Sequence, residues 1–250
     1  MGDHRAGTVC RCGGLLAEEG RGAAGHVLGR NVLDLTSARL VRTLSAAVDC
    51  FRRPMRTGLA GRVPRVEQQG DGSEPVIISR VAEAEIPADL ALQVQALLQM
   101  CFPGYPSRTY FKLPPHFRYL AMAGGELAGQ VGVELRVIRV GSTVLRTFGV
   151  VDLCVRGSGR SRGLVGRLLA EVTDYARSCR MDFVILFADD DRLYTRNGWT
   201  RAANPCSWLK INDHTTLGLA TAEDTGALMV KKIGQRTWPD GEVDLLGHLF

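Results

Sequence analysis

The amino-acid sequence predicts an α/β fold in the broad sense: an α+β arrangement with a mixed, mostly antiparallel central sheet, a βαβ crossover and flanking helices. Three strand patterns between residues 117 and 155 are separated by glycine turns at 124–125 and 141–142, which is typical of antiparallel hairpins. A helix pattern then lies between two apolar segments, 144–155 and 183–188, which is typical of a parallel crossover.

Composition divides the chain into two parts. Residues 1–75 carry glycine clusters, arginine as their only strong base and polar ends, so we expect a disordered leader. Within this part only segment 33–51 has the apolar spacing of an amphipathic helix. A regulatory or partner-binding arm is the alternative interpretation. Residues 76–250 alternate between strand and helix patterns and predict one domain.

The predicted domain begins with a strand and a helix. Segment 76–81 is rich in branched apolar residues and predicts the first strand, and 86–100 has apolar residues on one helical face. Proline, glycine and aromatic residues make 102–116 a loop. Strands are predicted for 117–123, 127–140 and 144–155, the second because its apolar residues alternate with polar ones and the third because its end is wholly apolar.

A helix and shorter elements follow. The loop 156–163 is rich in glycine and arginine, and the apolar residues after Leu164 recur at helical spacing. A buried strand is predicted for 183–188 and a short helix for 190–197, which Gly198 ends. Further strands are predicted from Trp199 onward and over 227–233.

Composition also narrows the class of function. A net charge of +5 is too small to indicate a nucleic-acid-binding protein, although it suits an anionic ligand. The sequence has no apolar run as long as a membrane span and no apolar signal-peptide core. The seven cysteines form no CxxC pair, so we expect no metal site and a reducing, cytoplasmic location.

The strand, basic glycine loop and helix at 150–176 form the strongest chemical pattern. The first turn of a helix exposes backbone N–H groups that bind phosphate, and glycine lets the backbone approach a ligand closely. Arginine side chains add charge-assisted hydrogen bonds to the phosphate. The pattern is neither the Gly-Lys-Ser/Thr of a nucleotide-binding P-loop nor GxGxxG.

Two motifs resemble those of the GNAT superfamily of acyl-CoA N-acyltransferases over roughly residues 76–250. That superfamily has Arg/Gln-x-x-Gly-x-Gly/Ala after its fourth strand and Leu/Phe-Tyr-x-x-x-Gly-Phe/Trp on a later short helix. The corresponding segments here are Arg160-Ser161-Arg162-Gly163-Leu164-Val165 and Leu193-Tyr194-Thr195-Arg196-Asn197-Gly198-Trp199.

The loop departs from the superfamily pattern at one position. Val165 stands where a small residue is usual, and Gly166 follows one position later. Aminoglycoside 2′-N-acetyltransferases are similar at this Leu-Val and in the stretch 238–243, which makes them the nearest subgroup.

The resemblance implies acetyl-CoA as cosubstrate and a set of residues that bind it. Backbone groups of a strand pair with the pantetheine arm between two splayed parallel strands, and the loop and helix start hold the diphosphate. The residues implied are Leu153, Cys154, Val155, Arg160, Ser161, Arg162, Gly163, Leu164 and Val165.

Three residues are candidates for proton transfer. Tyr194 matches the position of the superfamily's general acid, and a phenol suits a thiolate leaving group of similar basicity; a packing role is the alternative. Asp152 is a carboxylate inside an apolar strand, and Glu134 lies on the polar face of the preceding strand. Either is a candidate base, and an ion pair with Arg136 or Arg146 is the alternative for both.

The acceptor side is expected between the 102–116 loop and the C-terminal tail. Asp240, Glu242 and Asp244 are candidates for attracting a cationic amine, although an exposed turn explains them equally well. His116, in the loop, is expected to be a surface histidine rather than a catalyst.

These observations predict transfer of an acetyl group from acetyl-CoA to a primary amine of a small cationic acceptor, with an aminoglycoside among the candidates. A catalytically degenerate module that senses acyl-CoA is the alternative, because Val165 is unusual and the base is unsettled. The small-molecule amine is the expected partner, neither nucleic acid nor a membrane is expected, and the sequence is compatible with a homodimer.

Overall fold

A computed structural model gives the fold and describes residues 75–157 and 163–250. Predictions for residues 1–74 and for Arg160, Ser161 and Arg162 lie outside the described residues. None of the helices in the described ranges has the length and apolarity needed to span a bilayer.

The described chain contains ten strands, three α-helices and one 3₁₀ turn, Glu83–Glu85. The helices are α1 (Ala88–Cys101), α2 (Leu164–Ser178) and α3 (Arg192–Arg196). The strands are β1 (Ile77–Ala82), β2 (Phe117–Ala123), β3 (Glu126–Val140), β4 (Thr143–Val155), β5 (Phe183–Phe187), β6 (Thr200–Arg201), β7 (Cys206–Asn212), β8 (Thr215–Ala222), β9 (Leu228–Lys232) and β10 (Val243–His248).

The fold is a mixed α/β fold with a curled, mostly antiparallel sheet flanked by helices, as the sequence predicts. Strands β1 to β4 form an antiparallel meander, and β4 pairs in parallel with β5. Strand β5 pairs antiparallel with β9, and β9 pairs antiparallel with β6. The predicted crossover is therefore the segment β4–α2–β5, and the Gly141-Ser142 turn joins β3 to β4 as expected.

Helices α1 and α2 pack on opposite faces of the sheet. Leu120 of β2 joins a buried cluster with Val94 and Leu97 of α1. Phe117, three residues before Leu120 in β2, points to the other face, where its ring lies 5.4 Å from that of Tyr175 in α2. Successive residues of a strand face opposite sides of the sheet, so β2 supplies side chains to both layers.

Strand β3 has two different partners along one edge. Its first half pairs with β2 up to Val133, and its far end pairs with β10 at Arg139 and Val140. Between these two pairings the edge carries Glu134 and Arg136. This interruption gives side chains from other elements access to the middle of β3.

Strands β4 and β5 pair over a short stretch only. Thr147 to Gly149 pair with residues 183–185, and β4 then continues to Val155 without pairing with β5. The open stretch of β4 begins at Val150, and α2 starts at Leu164. The backbone that the resemblance assigns to the pantetheine arm thus lies where the two parallel strands have parted.

Three predictions need correction. Helix α1 begins at Ala88 rather than at residue 86, because Pro87 precedes it at the cap. The region predicted as one strand from Trp199 onward contains the short β6 and a separate hairpin, β7–β8. The turn of that hairpin, Asp213-His214, has positive φ angles without a glycine, so it lacks the usual sequence signal. The predicted C-terminal tail contains β10.

Candidate active site

A β-bulge interrupts the regular backbone of β4 at Asp152. Val151 lies opposite Gly132 and Cys154 lies opposite Gln130, so Asp152 and Leu153 together face one residue of β3. Asp152 has a φ angle of 52°, in the left-handed region that non-glycine residues seldom adopt. Because this backbone is strained and buried inside a strand, the surrounding structure must hold it in place.

A chain of buried polar side chains holds the bulge. Gln130 donates to the backbone carbonyl of Asp152 and accepts a hydrogen bond of 2.8 Å from Nη1 of Arg118. Arg118 has none of its surface exposed and donates from Nε to Glu83 at 2.6 Å. It also donates to the carbonyl of Thr109. The network joins the 3₁₀ turn, the 102–116 loop and three strands around one peptide group.

The same network also fixes the orientation of the next backbone amide, the N–H of Leu153. A trans peptide places its N–H opposite its C=O. Since the Asp152 carbonyl points to Gln130, the N–H of Leu153 points away from Gln130. An N–H in such a bulge is outside the regular strand ladder and is suited to binding an external carbonyl oxygen.

The carboxylate of Asp152 is buried and accepts a hydrogen bond from a hydroxyl group. Tyr105 donates its phenol proton to Oδ2 at 2.7 Å. Burial raises the pKa of the Asp152 carboxyl above its ordinary value of 3.8, while Tyr105 and the charge of Arg118 lower it. A raised pKa makes a carboxylate a better proton acceptor near neutral pH.

Glu134 forms a second buried acidic group, on β3. Its Oε1 lies 3.2 Å from Nε2 of His248, and its Oε2 lies 3.4 Å from Nη1 of Arg136. Arg136 also lies 3.4 Å from Nδ1 of His248 and donates to the His248 carbonyl. Because an arginine can only donate, Nδ1 is the acceptor nitrogen and Nε2 carries the proton that bonds to Glu134.

Both carboxylates line one pocket. Asp152 and Glu134 line it together with His248 of β10, and the charge of Glu134 acts on the pKa of Asp152. The remaining lining residues come from the 102–116 loop, from β4 and from the last residues of the chain; they are Phe111, Lys112, Leu113, Val151 and Phe250. The loop and the tail predicted to form the acceptor side therefore meet at this pocket.

The ion pair proposed as the alternative for both acids forms at one of them. Glu134 has its partner in Arg136, whereas the close hydrogen-bond partner of the Asp152 carboxylate is the hydroxyl of Tyr105. Asp152 thus retains the features expected of a base, and Glu134 brings an ion-paired carboxylate to the same pocket.

Tyr194 lies away from the lining of that pocket, on α3 after β5. Its side chain is 1% exposed, and its ring packs edge-on against Trp199 at 5.9 Å. The carbonyl of Tyr194 accepts hydrogen bonds from the amides of Asn197 and Trp199, which end the helix. The structure therefore shows the packing contacts of Tyr194 and leaves its acid role a prediction.

The start of α2 has the form expected of an anion-binding turn. Gly163 is exposed, has a φ angle of 66°, and would meet no atom within 4 Å if it carried a Cβ. Leu164 is buried, and a Cβ on Gly129 would lie 3.3 Å from its side chain. Val165 is partly exposed. Glycine at 163 therefore supplies both the turn and open space next to the first helical amides.

Gly166, which follows the unusual Val165, has a packing role. A Cβ at this position would approach Oδ1 of Asn197 to 3.3 Å, so glycine allows α2 and the end of α3 to lie close together.

Two of the predicted pantetheine-binding residues, Cys154 and Val155, are buried beneath α1, where the thiol of Cys101 lies 3.6 Å from the Val155 carbonyl.

The predicted acceptor acids lie elsewhere. Asp240 and Glu242 are exposed beside the β3–β4 turn, where the amide of Gly141 donates to the Glu242 carbonyl. Asp244 forms an ion pair of 2.9 Å with Arg139. Strand β10 runs from this turn toward the pocket, and it brings His248 there instead.

Two further residues clarify what the sequence could reveal. His116 is exposed and its Nδ1 accepts a hydrogen bond from the amide of Leu135, so it supports the loop. His248 was not predicted as a site residue, because its proximity to Glu134 depends on the pairing of β10. Among residues 75–157 and 163–250 no three metal-binding side chains cluster at one place.

A comparison with protein-family models identifies the family of this chain. Residues 78–202, half of the chain, match the model described as an acetyltransferase (GNAT) domain. The chain belongs to the GNAT acetyltransferase family. The match ends before β7, so His248 and Phe250 lie in a part of this GNAT protein that the family model does not cover.

A solved structure with CoA bound supports the GNAT fold. A GNAT family N-acetyltransferase (YhbS) from Escherichia coli, solved in complex with CoA, superposes with a TM-score of 0.52 at 21% identity, covering 70% of this chain and 92% of that chain. An acyl-CoA N-acyltransferase from Pseudomonas aeruginosa gives 0.44 at 12% identity, with coverage of 62% and 99%. Eis1 from Mycobacterium abscessus gives 0.43 at 18% identity, with coverage of 54% of this chain and about a third, 32%, of Eis1. A search of curated proteins found no match.

Proposed function

We propose that this GNAT protein transfers the acetyl group of acetyl-CoA to a primary amine of a small cationic acceptor. The observation that carries the proposal is the pocket that joins the Asp152 bulge to Glu134, next to the point where β4 and β5 part. A strained backbone, a buried carboxylate and a second acid in one pocket are the features expected of a reaction site for an amine.

The residues fit acetyl-CoA as cosubstrate. The open space at Gly163 and the amides of Leu164 and Val165 would hold the diphosphate, with Arg160, Ser161 and Arg162 of the preceding loop. The backbone of Leu153, Cys154 and Val155, on the part of β4 that has left β5, would pair with the pantetheine arm. In this arrangement the acyl group reaches the bulge.

Each polar group then has a defined task. The N–H of Leu153 donates to the acetyl carbonyl oxygen and stabilises the oxyanion. Glu134 attracts the ammonium group of the acceptor, and Asp152 takes its proton so that the neutral amine can attack the carbonyl carbon. The C–N bond forms, the C–S bond breaks, and Tyr194 gives a proton to the thiolate.

An acetylation assay with a panel of amines tests the proposal. Purified protein is mixed with acetyl-CoA and single amines, among them an aminoglycoside, and free CoA is measured with a thiol reagent. We expect CoA release that depends on the amine. Tight acetyl-CoA binding without release for any amine would instead establish the sensor that the sequence leaves as the alternative.

The acid role of Tyr194 has its own test. We expect Tyr194→Phe to lower kcat by at least about tenfold, because a general acid contributes this much or more, while the KM for acetyl-CoA stays the same. Full turnover in this variant would assign Tyr194 to packing against Trp199.

A further inference from the structure

Strand β10 ends with an irregular backbone, and its last residue lines the pocket. Asp244 pairs with Arg139 of β3, but the register between β10 and β7 shifts between Asp244 and His248. Leu246, within this stretch, has a φ angle of 46°, in the left-handed region. His248 is 6% exposed and lies beside Glu134. A buried polar side chain at the end of a strained segment points to a specific task for His248.

Arg136 fixes the imidazole ring of His248. Its guanidinium donates to the His248 carbonyl, and its Nη1 lies 3.4 Å from Nδ1 of the ring. A Cβ on Gly247 would lie 3.1 Å from the same Nη1, so glycine lets the guanidinium approach β10 this closely. On another side the guanidinium carbon lies 5.1 Å from the ring centre of Phe250. Because Nδ1 faces a donor, Nε2 carries the proton and directs it to Glu134.

Glu134 receives one donor on each carboxylate oxygen. Its Oε1 accepts from Nε2 of His248 at 3.2 Å, and its Oε2 lies 3.4 Å from Nη1 of Arg136. An ionised carboxylate has about four lone-pair sites, so these two contacts leave acceptor capacity for a ligand. Donors on both oxygens fix the plane of the carboxylate, whereas one donor alone would let it turn about that contact.

We infer that His248 is a positioning residue, which holds the Glu134 carboxylate in the plane that receives the ammonium group of the acceptor. The inference rests on the proposed acetyl transfer and adds a residue to it. With Nδ1 facing Arg136 and Nε2 bonded to Glu134, His248 acts through Glu134 and leaves proton removal to Asp152. The match to the GNAT family model ends at residue 202, so the model does not supply this residue.

Two amide variants of His248 separate positioning from packing. The Nε2 of glutamine corresponds to the Nε2 of histidine, so His248→Gln keeps a donor toward Glu134, whereas the shorter His248→Asn places its amide at Nδ1 and loses that donor. We expect the KM for the amine to rise about tenfold in His248→Asn, through loss of a hydrogen bond to a charged group, and to stay within about twofold of wild type in His248→Gln. Both kcat and the KM for acetyl-CoA should change by less than about twofold.

A second background and a surface control complete the kinetic test. In Glu134→Gln, adding His248→Asn should change the amine KM by less than about twofold further, because His248 acts through Glu134. His214→Asn is the matched control, since His214 is exposed in the β7–β8 turn and its positive φ suits asparagine. Equal rises in KM for His248→Gln and His248→Asn, or the same rise from His248→Asn in both backgrounds, would overturn the inference and leave acetyl transfer intact.

Kanamycin, spermidine and benzylamine serve as the amines. If the wild type releases no CoA with any of them, the proposed function fails and the acceptor role of His248 fails with it. Nitrogen NMR of isotope-labelled wild-type protein gives a readout that is independent of turnover and of variant folding. We expect a proton on Nε2 of His248 and none on Nδ1 at neutral pH. A proton on Nδ1 would overturn the arrangement on which the inference depends.

Discussion

Asp152 combines a buried carboxylate, a left-handed backbone and a hydrogen bond from Tyr105 within a single strand residue. Burial of the carboxylate and the left-handed backbone each cost stability, and the hydrogen bond from Tyr105 offsets part of the cost of burial. Glu134, on the neighbouring strand β3, differs by being paired with Arg136 and His248. The two acids therefore suit different tasks, proton transfer and attraction of a cation.

Replacing the Asp152 carboxylate tests its role in proton transfer. We expect Asp152→Asn to lower kcat at least about 100-fold, the usual loss on removing a general base, with the acetyl-CoA KM unchanged. The acid limb of kcat/KM in the wild type should lie above pH 3.8, because burial raises this pKa and the base acts when deprotonated. Asp174→Asn on the surface of α2 is the control, with 63% of its side chain exposed. Wild-type turnover in Asp152→Asn would exclude this residue as the base.

At the scale of the element, strand β4 is shaped by the side chains beneath it. The bulge removes one peptide from the ladder, and Gln130 replaces the lost partner of the Asp152 carbonyl. Arg118 fixes Gln130, and Glu83 fixes Arg118. Buried polar groups in such a network depend on one another, since each is satisfied only by the next.

Two substitutions of Gln130 separate its structural and positioning roles. Gln130→Leu leaves Arg118 and the Asp152 carbonyl without this partner, so we expect the free energy of unfolding to fall by about 2 kcal/mol. Gln130→Glu keeps an acceptor for Arg118 and should be less destabilised. Because both lose the donor to Asp152, kcat should fall in both and the acid limb of the pH profile should move. Denaturation and pH-rate profiles measure these effects; a normal profile in folded Gln130→Glu argues against positioning.

The start of α2 offers a matched pair of glycines. Gly163 and Gly125 have φ angles of 66° and 80°, and neither would place a Cβ within 4 Å of another atom. Alanine at either position should cost about 1–2 kcal/mol through backbone strain. The KM for acetyl-CoA should rise only in Gly163→Ala, because Gly125 lies in the β2–β3 turn. An equal KM in the two variants would show that the Gly163 turn does not bind the cosubstrate.

At the scale of the whole molecule, the buried acid couples folding to pH. The folded-state pKa of Asp152 is raised by burial, so the folded protein holds this proton more tightly than the unfolded chain. The stability that it contributes is fully present below the unfolded value of 3.8 and is lost as pH rises through the folded pKa.

Denaturation curves at several pH values test this coupling. We expect Asp152→Asn to gain stability relative to the wild type as pH increases above 3.8, the unfolded value, through the raised folded-state pKa of Asp152. Tyr105→Phe should steepen the pH-dependent loss in a protein that keeps Asp152, because the tyrosine hydrogen bond lowers the pKa of that carboxyl. Parallel stability profiles in all three proteins would contradict the coupling.

The sequence by itself determined the elements whose signal is local. Alternation in β3, the apolar end of β4, the helical spacing of α2 and the glycine turns between strands are carried by neighbouring residues, so they were predicted almost to the residue. It also singled out Asp152, because a carboxylate within an apolar strand is visible without a structure.

Tertiary structure alone decided how distant segments share one pocket. Strand β10 is defined by its pairing with β3 and β7, and the contact of His248 with Glu134 follows from that pairing. The same pairing placed Asp240, Glu242 and Asp244 near the β3–β4 turn, whereas their negative charge had made them candidates for the acceptor side. Local patterns specify elements because their free energy depends on near neighbours, but contacts across a hundred residues depend on how the sheet closes.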